Sequence, residues 1–387
     1  MNIAFYAPLK SPDHLIPSGD RLMARLLIKA LKMQQHHVEI ASSFRSFEDK
    51  GSLIYQQRKF KEAKKICDNL IQIFLKRPLK KRPHIWFTYH LYYKAPDLIG
   101  PFVSHHLNIP YIVAEASHAR KRLKGPWAFN AKKVIESLNQ ADHILTLNPR
   151  DNFGLVDLLR NDHKITNLAP FLETQIFQKK LNQLIKLKKL LAKKLNCNPT
   201  QPWLLTVAMM RFGDKLSSYN FLAEALVKIK SIPWQLIIVG DGPARQEIEK
   251  SFESLSKDQK VFFVGQQDSN SLINFYRMTD IFVWPAINEA YGMSLLEAQT
   301  SGLPVVAGDY GGVSSIVYHN ETGLLNKPGD IKNFTKNIKK LLSNPELKRT
   351  MSKKAKTMTK KFHSLSFASK KIDTLLHQIV SLHEKEN

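Results

Sequence analysis

Cysteine is nearly absent from this 387-residue chain: Cys67 and Cys197 stand far apart, without metal-type spacing. That argues against a disulfide framework and for a reducing, cytoplasmic compartment. No apolar run approaches the roughly 20 residues that a membrane-spanning helix needs. The N-terminal MNIAFYAPLKSPDH holds an apolar run too short for a secretory signal and reads as a first strand. A protein free in the cytoplasm, or peripheral on the inner face of its membrane, is expected. No His, Asp or Glu grouping has metal-ligand spacing. Acidic residues are also scarce, with 33 Asp and Glu against 58 Lys and Arg, a formal charge of +25. Residues 1–180 hold 29 of the basic and 15 of the acidic side chains, so the excess is spread over both halves. Such a balance favours a polyanionic surface as partner, nucleic acid or acidic membrane. No zinc-finger, helix-turn-helix or RNA-binding signature accompanies the charge, and no nucleic-acid partner is expected.

What is present is alternation. Apolar strand-like runs at Asn2–Ala7, His37–Ala41, Ile85–Tyr89, Tyr111–Glu115 and His143–Leu147 are separated by helical patterns. The second half repeats this at Trp203–Ala208, Gln235–Val239, Val261–Val264, Ile281–Trp284 and Pro304–Ala307. Strands alternating with helices predict an α/β protein with parallel sheets covered on both faces. Two doubly wound, Rossmann-like domains facing across a cleft are expected, over residues 1–180 and 181–365, with ligands beyond the carboxyl ends of strands. A last helix is expected over 366–387. The segment Tyr55–Arg82 interleaves Arg58, Lys61, Lys64 and Lys65 with Phe60, Ile66, Leu70 and Phe74. It reads either as a basic amphipathic helix on anionic lipid or as an outer helix with a solvated basic face.

The stretch Trp284–Leu325 concentrates the chemistry. Glu289 and Glu297 stand eight positions apart, and between them Ala-Tyr-Gly-Met-Ser-Leu-Leu reads as the opening of a buried helix. Gly292 lets backbone approach a ligand closely. The N–H groups of Tyr291, Gly292, Met293 and Ser294 would then lie at the positive end of a helix dipole, suited to phosphate. Glu297 sits among Leu295, Leu296 and Ala298, where a carboxylate is rarely found unpaired. Ligand hydroxyls would satisfy it, because an ionised carboxylate only accepts. The plain alternative is a surface helix residue at 297 and a loop charge at 289.

The run E-A-Y-G-M-S-L-L-E-A-Q, followed by S-G-L-P-V-V-A and a Gly-Gly turn, resembles the E-x7-E signature of retaining nucleotide-sugar glycosyltransferases of family 4, which have the GT-B fold. The resemblance implies that Glu297 holds the nucleotide ribose and Glu289 the donor sugar, with the amides around Gly292 on sugar or diphosphate. Arg211 and Lys215, in the loop after Trp203–Ala208, are similar to the family's diphosphate-binding pair. Gly240, Asp241 and Gly242 match its glycine turn near the nucleotide, and Gln267 its base-framing segment. In the first half Gly19 corresponds to a glycine loop approaching the diphosphate. Asp20 stands where a second glycine is common and is expected to turn away, capping the helix. His118 matches the histidine near the reacting sugar, and Glu115 and Arg120 fall on the acceptor side. Ser315 stands where many members carry an acid. The resemblance also implies that the last helix crosses back to the first domain.

The catalytic set implied is thus Glu289, His118, Arg211 and Lys215. No cofactor and no metal are expected, the two basic side chains neutralising the leaving diphosphate. The partners implied are a nucleoside-diphosphate sugar and a lipid-linked or cell-surface glycan acceptor, with an anionic membrane surface as the further partner of the lipid reading. Another GT-B enzyme, an epimerase or phosphorylase, is the main alternative. A basic nucleic-acid-binding protein and a silent scaffold follow behind it.

Overall fold

The computed structural model describes residues 1–16, 18–159, 164–178 and 184–386. The chain divides into two compact units, Met1–Ala169 with Leu365–Asn387, and Pro170–Ser364. Residue 180, near which the boundary is expected, lies outside the described residues, and the two units part between Ala169 and Pro170.

The first unit is built on six parallel strands: β1 (Asn2–Tyr6), β2 (His37–Ser42), β3 (Ile85–Leu91), β4 (Tyr111–Ala116), β5 (His143–Thr146) and β6 (Ile165–Asn167). They lie in the order β2-β1-β3-β4-β5-β6. Ile3 to Tyr6 and Ile112 to Ala114 are wholly buried, as expected of strands covered on both faces. Because β2 and β3 flank β1 on opposite sides, the order reverses beside β1, and the carboxyl ends of β1 and β3 border the crevice.

Helix Gly19–Met33 follows β1, with the Ser18 hydroxyl accepting from the Arg21 amide at its start. Its buried stripe is Met23, Leu26, Leu27 and Leu31. The last helix, Leu365–Glu386, joins this unit: Ser369 Oγ donates to the Ala30 carbonyl at 2.6 Å, and Gln34 Nε2 donates to Ser369 Oγ at 3.0 Å.

The basic segment forms helix Leu53–Leu75 and stops before Pro78, since a residue preceding proline avoids the helical region. Leu70 and Phe74 are buried, and Phe60, Ile66 and Ile71 pack against the core. The apolar stripe is therefore spent on the domain interior, while Arg58, Lys61, Lys64 and Lys65 face outward. Ile54 and Ile73 are exposed as well.

The second unit repeats the plan with β7 (Trp203–Val207), β8 (Gln235–Val239), β9 (Val261–Phe263), β10 (Ile281–Trp284), β11 (Val305–Gly308) and β12 (Gly323–Asn326). The order β12-β11-β10-β7-β8-β9 is parallel throughout and reverses between β7 and β10. β12 was not anticipated, because its two leucines lie between turn-like Thr-Gly and Asn-Lys-Pro-Gly. Its pairing with β11, Val305 opposite Gly323, makes it a strand. Trp203, Trp234 and Trp284 are fully buried in this core.

Candidate donor-binding site at the strand ends of the second unit

Three loops leaving the carboxyl ends of β7, β8 and β9 are tied together by backbone. The Met210 amide donates to the Asp241 carbonyl at 2.9 Å, and the Gly240 amide to the Gly265 carbonyl at 3.0 Å. Gly240 has φ +147°, and a Cβ there would stand 2.0 Å from the Ala208 carbonyl oxygen, so only glycine fits. The Arg211 loop, the glycine turn and the Gln267 segment are thus neighbours. Asp241 is largely occupied locally, accepting from the Gly242 amide at 2.8 Å and pairing with Arg245 at 3.0 Å. Gln267 donates to the Val264 carbonyl at 2.7 Å. Arg211 is exposed and rests against the Met209 sulfur.

Across the switch point, β10 ends at Trp284 and feeds the loop that carries Glu289. That loop is pinned to helix Asp214–Val227: the Ile287 amide donates to Ser218 Oγ at 3.0 Å, and Asn288 donates to Asp214 at 2.9 Å. Lys215 Nζ donates to Glu289 Oε2 in a short ion pair, and Trp284 Nε1 donates to the same oxygen at 3.2 Å. Lys215 also lies 5.3 Å from the Trp284 ring centroid, a cation–π contact. The pair is only partly exposed, 30% and 18%. Two residues that the resemblance assigned to different parts of one ligand are therefore in direct contact.

Gly292, with φ +74°, is the N-cap of helix Met293–Thr300, and no side chain caps that end. Tyr291, Met293 and Ser294 are half-buried around it. The turn after β11 supports the loop from beneath: the Gly312 amide donates to the Ala290 carbonyl at 2.7 Å. Ser315, where an acid is common, closes that turn by donating to the Gly312 carbonyl at 2.5 Å.

Glu297, one turn along the helix, is not a free surface charge. Tyr276, from helix Ser269–Met278, donates its hydroxyl to Glu297 Oε2 at 2.7 Å. Burial pushes the Glu297 carboxyl up to about 7, against the lowering effect of that hydrogen bond. Tyr276 escaped the sequence reading, and so did the contact of Trp284 with Glu289. A tyrosine in an amphipathic helix carries no mark that separates a core residue from a carboxylate partner.

In the first unit the strand ends gather a second group. His90, at the end of β3, and Glu115, in β4, both have positive φ, 62° and 60°. Asp20 does not cap its helix, since Ser18 does that, and it bonds His90 Nδ1 at 2.9 Å. Burial opposes charging of the His90 ring, but Glu115 and then Asp20 outweigh it and raise the imidazole to about 9. Burial and Glu115 also push Asp151 up to about 6. Glu115 Oε2 is buried without a hydrogen-bond partner. His90 was missed, although a histidine closing a predicted strand met the criterion that singled out His118.

Gly19 opens helix Gly19–Met33 with nothing within 4 Å of a Cβ there, leaving its backbone approachable. His118 and Arg120 line an open depression with Val156 and Asp157. Arg120 pairs with Asp157 at 2.8 Å, and burial, then Arg120, lower the His118 imidazole. Among the described residues no group of three His, Cys, Asp or Glu is placed to hold a metal ion, and no helix is long and apolar enough to cross a membrane.

Two parallel α/β units with ligand-competent loops at the strand ends define a Rossmann-like class of protein. Residues 188–358, all in the second unit, match the family described as glycosyl transferases group 1. The second unit is thus similar to the group 1 glycosyltransferases. The sulfoquinovosyl transferase SQD2 of Arabidopsis thaliana is 27% identical over 272 residues, 69% of this chain and 50% of that protein. The chain spans about half the length of such curated relatives. HepE of Anabaena, solved with UDP, superposes with a TM-score of 0.75 at 14% identity, over 98% of this chain and 100% of that one. The lipopolysaccharide outer core galactosyltransferase WaaB superposes with a TM-score of 0.67 at 15% identity, over 98% and 100%. The fold is therefore GT-B.

Proposed function

We propose that the protein is a retaining, family 4-like glycosyltransferase that moves a hexose from a nucleoside-diphosphate sugar to a lipid-linked or cell-surface polysaccharide or lipopolysaccharide acceptor. The observation that carries this reading is the second unit's strand-end cluster. Lys215 and Glu289 meet there beside an uncapped helix N-terminus, and Glu297 stands one turn further along the same helix. UDP in the HepE structure, and the likeness to the galactosyltransferase WaaB, support the choice of substrate class.

Breaking the bond between the anomeric carbon and the diphosphate puts negative charge on the leaving group, and fixed cations and dipoles aimed there lower the barrier. The amides of Met293 and Ser294 and the side chains of Arg211 and Lys215 fill that role, without a bound divalent ion. An arriving diphosphate offers Lys215 a doubly charged partner in place of Glu289. Glu289 is then released to accept from sugar hydroxyls, so donor binding itself arms the site. His118, Glu115 and Arg120 serve the sugar and acceptor side from the first unit.

The test is incubation with radiolabelled UDP- and GDP-hexoses and lipid-linked or polysaccharide acceptor fractions, with the anomeric configuration of the product read by NMR. Label transferred with retention is expected. Epimerised or phosphorolysed donor without transfer would favour another GT-B enzyme.

A further inference from the structure

We infer that Tyr276 is a positioning residue that sets the preference of the donor site for ribonucleotides over deoxyribonucleotides. The inference rests on the donor-site reading above, in which Glu297 receives the ribose. Glu297 has two carboxylate oxygens, and the Tyr276 hydroxyl takes one of them, Oε2, at 2.7 Å. A carboxylate with one oxygen fixed by a buried donor no longer turns freely about its last torsion. Its second oxygen points in one direction, and a vicinal diol needs such a pre-aimed acceptor.

Tyr276 is well suited to hold that aim. Only 1% of its surface is exposed, and its ring packs near Phe177 and Phe282, with centroids 6.4 Å and 6.0 Å away. Phe177 belongs to the short helical turn Thr174–Gln178, and Phe282 lies in β10, the strand that leads to Glu289. The tyrosine thus ties the ribose acceptor to the strand that leads to Glu289, the sugar residue. A phenolic hydroxyl buried in an apolar core keeps a partner, because leaving it unpaired is costly. Here that partner is the carboxylate, so the hydrogen bond persists when no ligand is bound. Removing the hydroxyl while keeping the ring leaves the packing intact and frees the carboxyl to rotate.

The experiment is calorimetric titration of the full chain with UDP, GDP and their 2′-deoxy counterparts, for wild type, Tyr276→Phe and Glu297→Gln. Wild type is expected to bind one ribonucleotide about tenfold or more tighter than its deoxy form, the scale of one hydrogen bond to a charged group. In Tyr276→Phe that ratio is expected to fall to within about threefold of unity, the loss falling on the ribonucleotide, with affinity for the deoxy form retained. A general loosening of the fold would weaken both nucleotides equally and leave the ratio unchanged. An unchanged ratio in Tyr276→Phe, with Glu297→Gln abolishing the preference, overturns the role of Tyr276 alone. An unchanged ratio in Glu297→Gln overturns the donor-site reading itself and this inference with it. Should Tyr276→Phe melt early, the titration is run at a temperature below its melting transition, with wild type measured alongside. A ratio in Tyr276→Phe near unity there supports the inference, and a wild-type ratio contradicts it.

Discussion

Replacing Gly311 by alanine tests whether the turn after β11 holds the Glu289 loop in place. Gly311 has φ +54°, and an added Cβ would lie 1.8 Å from the Glu289 carbonyl oxygen and 2.9 Å from its carbonyl carbon. Backbone, not a flexible side-chain end, blocks the space, so the loop must move. The left-handed conformation costs an L-residue about 1–2 kcal/mol, and overpacking adds about 1–3 kcal/mol. The sum is about 2–5 kcal/mol. Gly329 is the matched control, since it also has positive φ, +77°, but nothing lies within 4 Å of a Cβ there. Gly329→Ala should cost only the conformational part, about 1–2 kcal/mol. Urea unfolding followed by the fluorescence of Trp203, Trp234 and Trp284, all buried in the second unit, measures both variants against wild type. Gly311→Ala is also expected to weaken nucleotide-sugar binding at least tenfold, because Glu289 is moved from where it accepts from the sugar hydroxyls, whereas Gly329→Ala leaves binding alone. If the two variants are equally stable and both bind normally, the loop is free to relax and the argument from close contact fails.

Further expectations concern charge. His90 is raised to about 9 in the folded unit from an ordinary 6.5, so its stabilising pairing with Asp20 is complete below about pH 6.5 and is lost as pH rises through 9. Thermal melts of wild type and His90→Gln should differ most near pH 6.5 and converge by pH 10; a gap that widens with pH would contradict this. Glu297 is likewise raised, to about 7, so wild-type stability falls as pH rises from 4.5 through 7. Glu297→Gln should therefore be more stable than wild type at pH 8, with a smaller advantage at pH 5, while losing transfer activity. The outward basic face of Leu53–Leu75 predicts binding to vesicles rich in anionic lipid that weakens with salt. Flotation at low ionic strength checks it, and protein left in the unbound fraction ends the proposal.

The architecture was legible because parallel strands buried on both faces are written as unbroken apolar runs. Ile281–Trp284 and Gln235–Val239 were readable to the residue. Gly323–Asn326 was not, since its pairing with β11 decides its state and its own residues look like a turn. Glu289, Gly292 and Glu297 were visible through spacing, because they lie in one short stretch that runs from the loop after β10 into helix Met293–Thr300. Their pairings were not, because each partner comes from a distant element: Lys215 lies 74 positions from Glu289, and Tyr276 lies 21 from Glu297. The role of Asp20 was misread for the same reason, its partner His90 being 70 residues away in sequence. For Leu53–Leu75 the periodicity was plain, and only the packed core decided what its apolar stripe covers.

In the proposed function the second unit grips a nucleoside diphosphate through Lys215 and its neighbours. Titrating the full chain with UDP, GDP, ADP and TDP, and repeating the best ligand on Lys215→Ala, measures that grip. Saturable binding of at least one diphosphate, lost in the variant without a matching fall in melting temperature, is predicted. Binding of none of the four, or equal binding by Lys215→Ala, would contradict it.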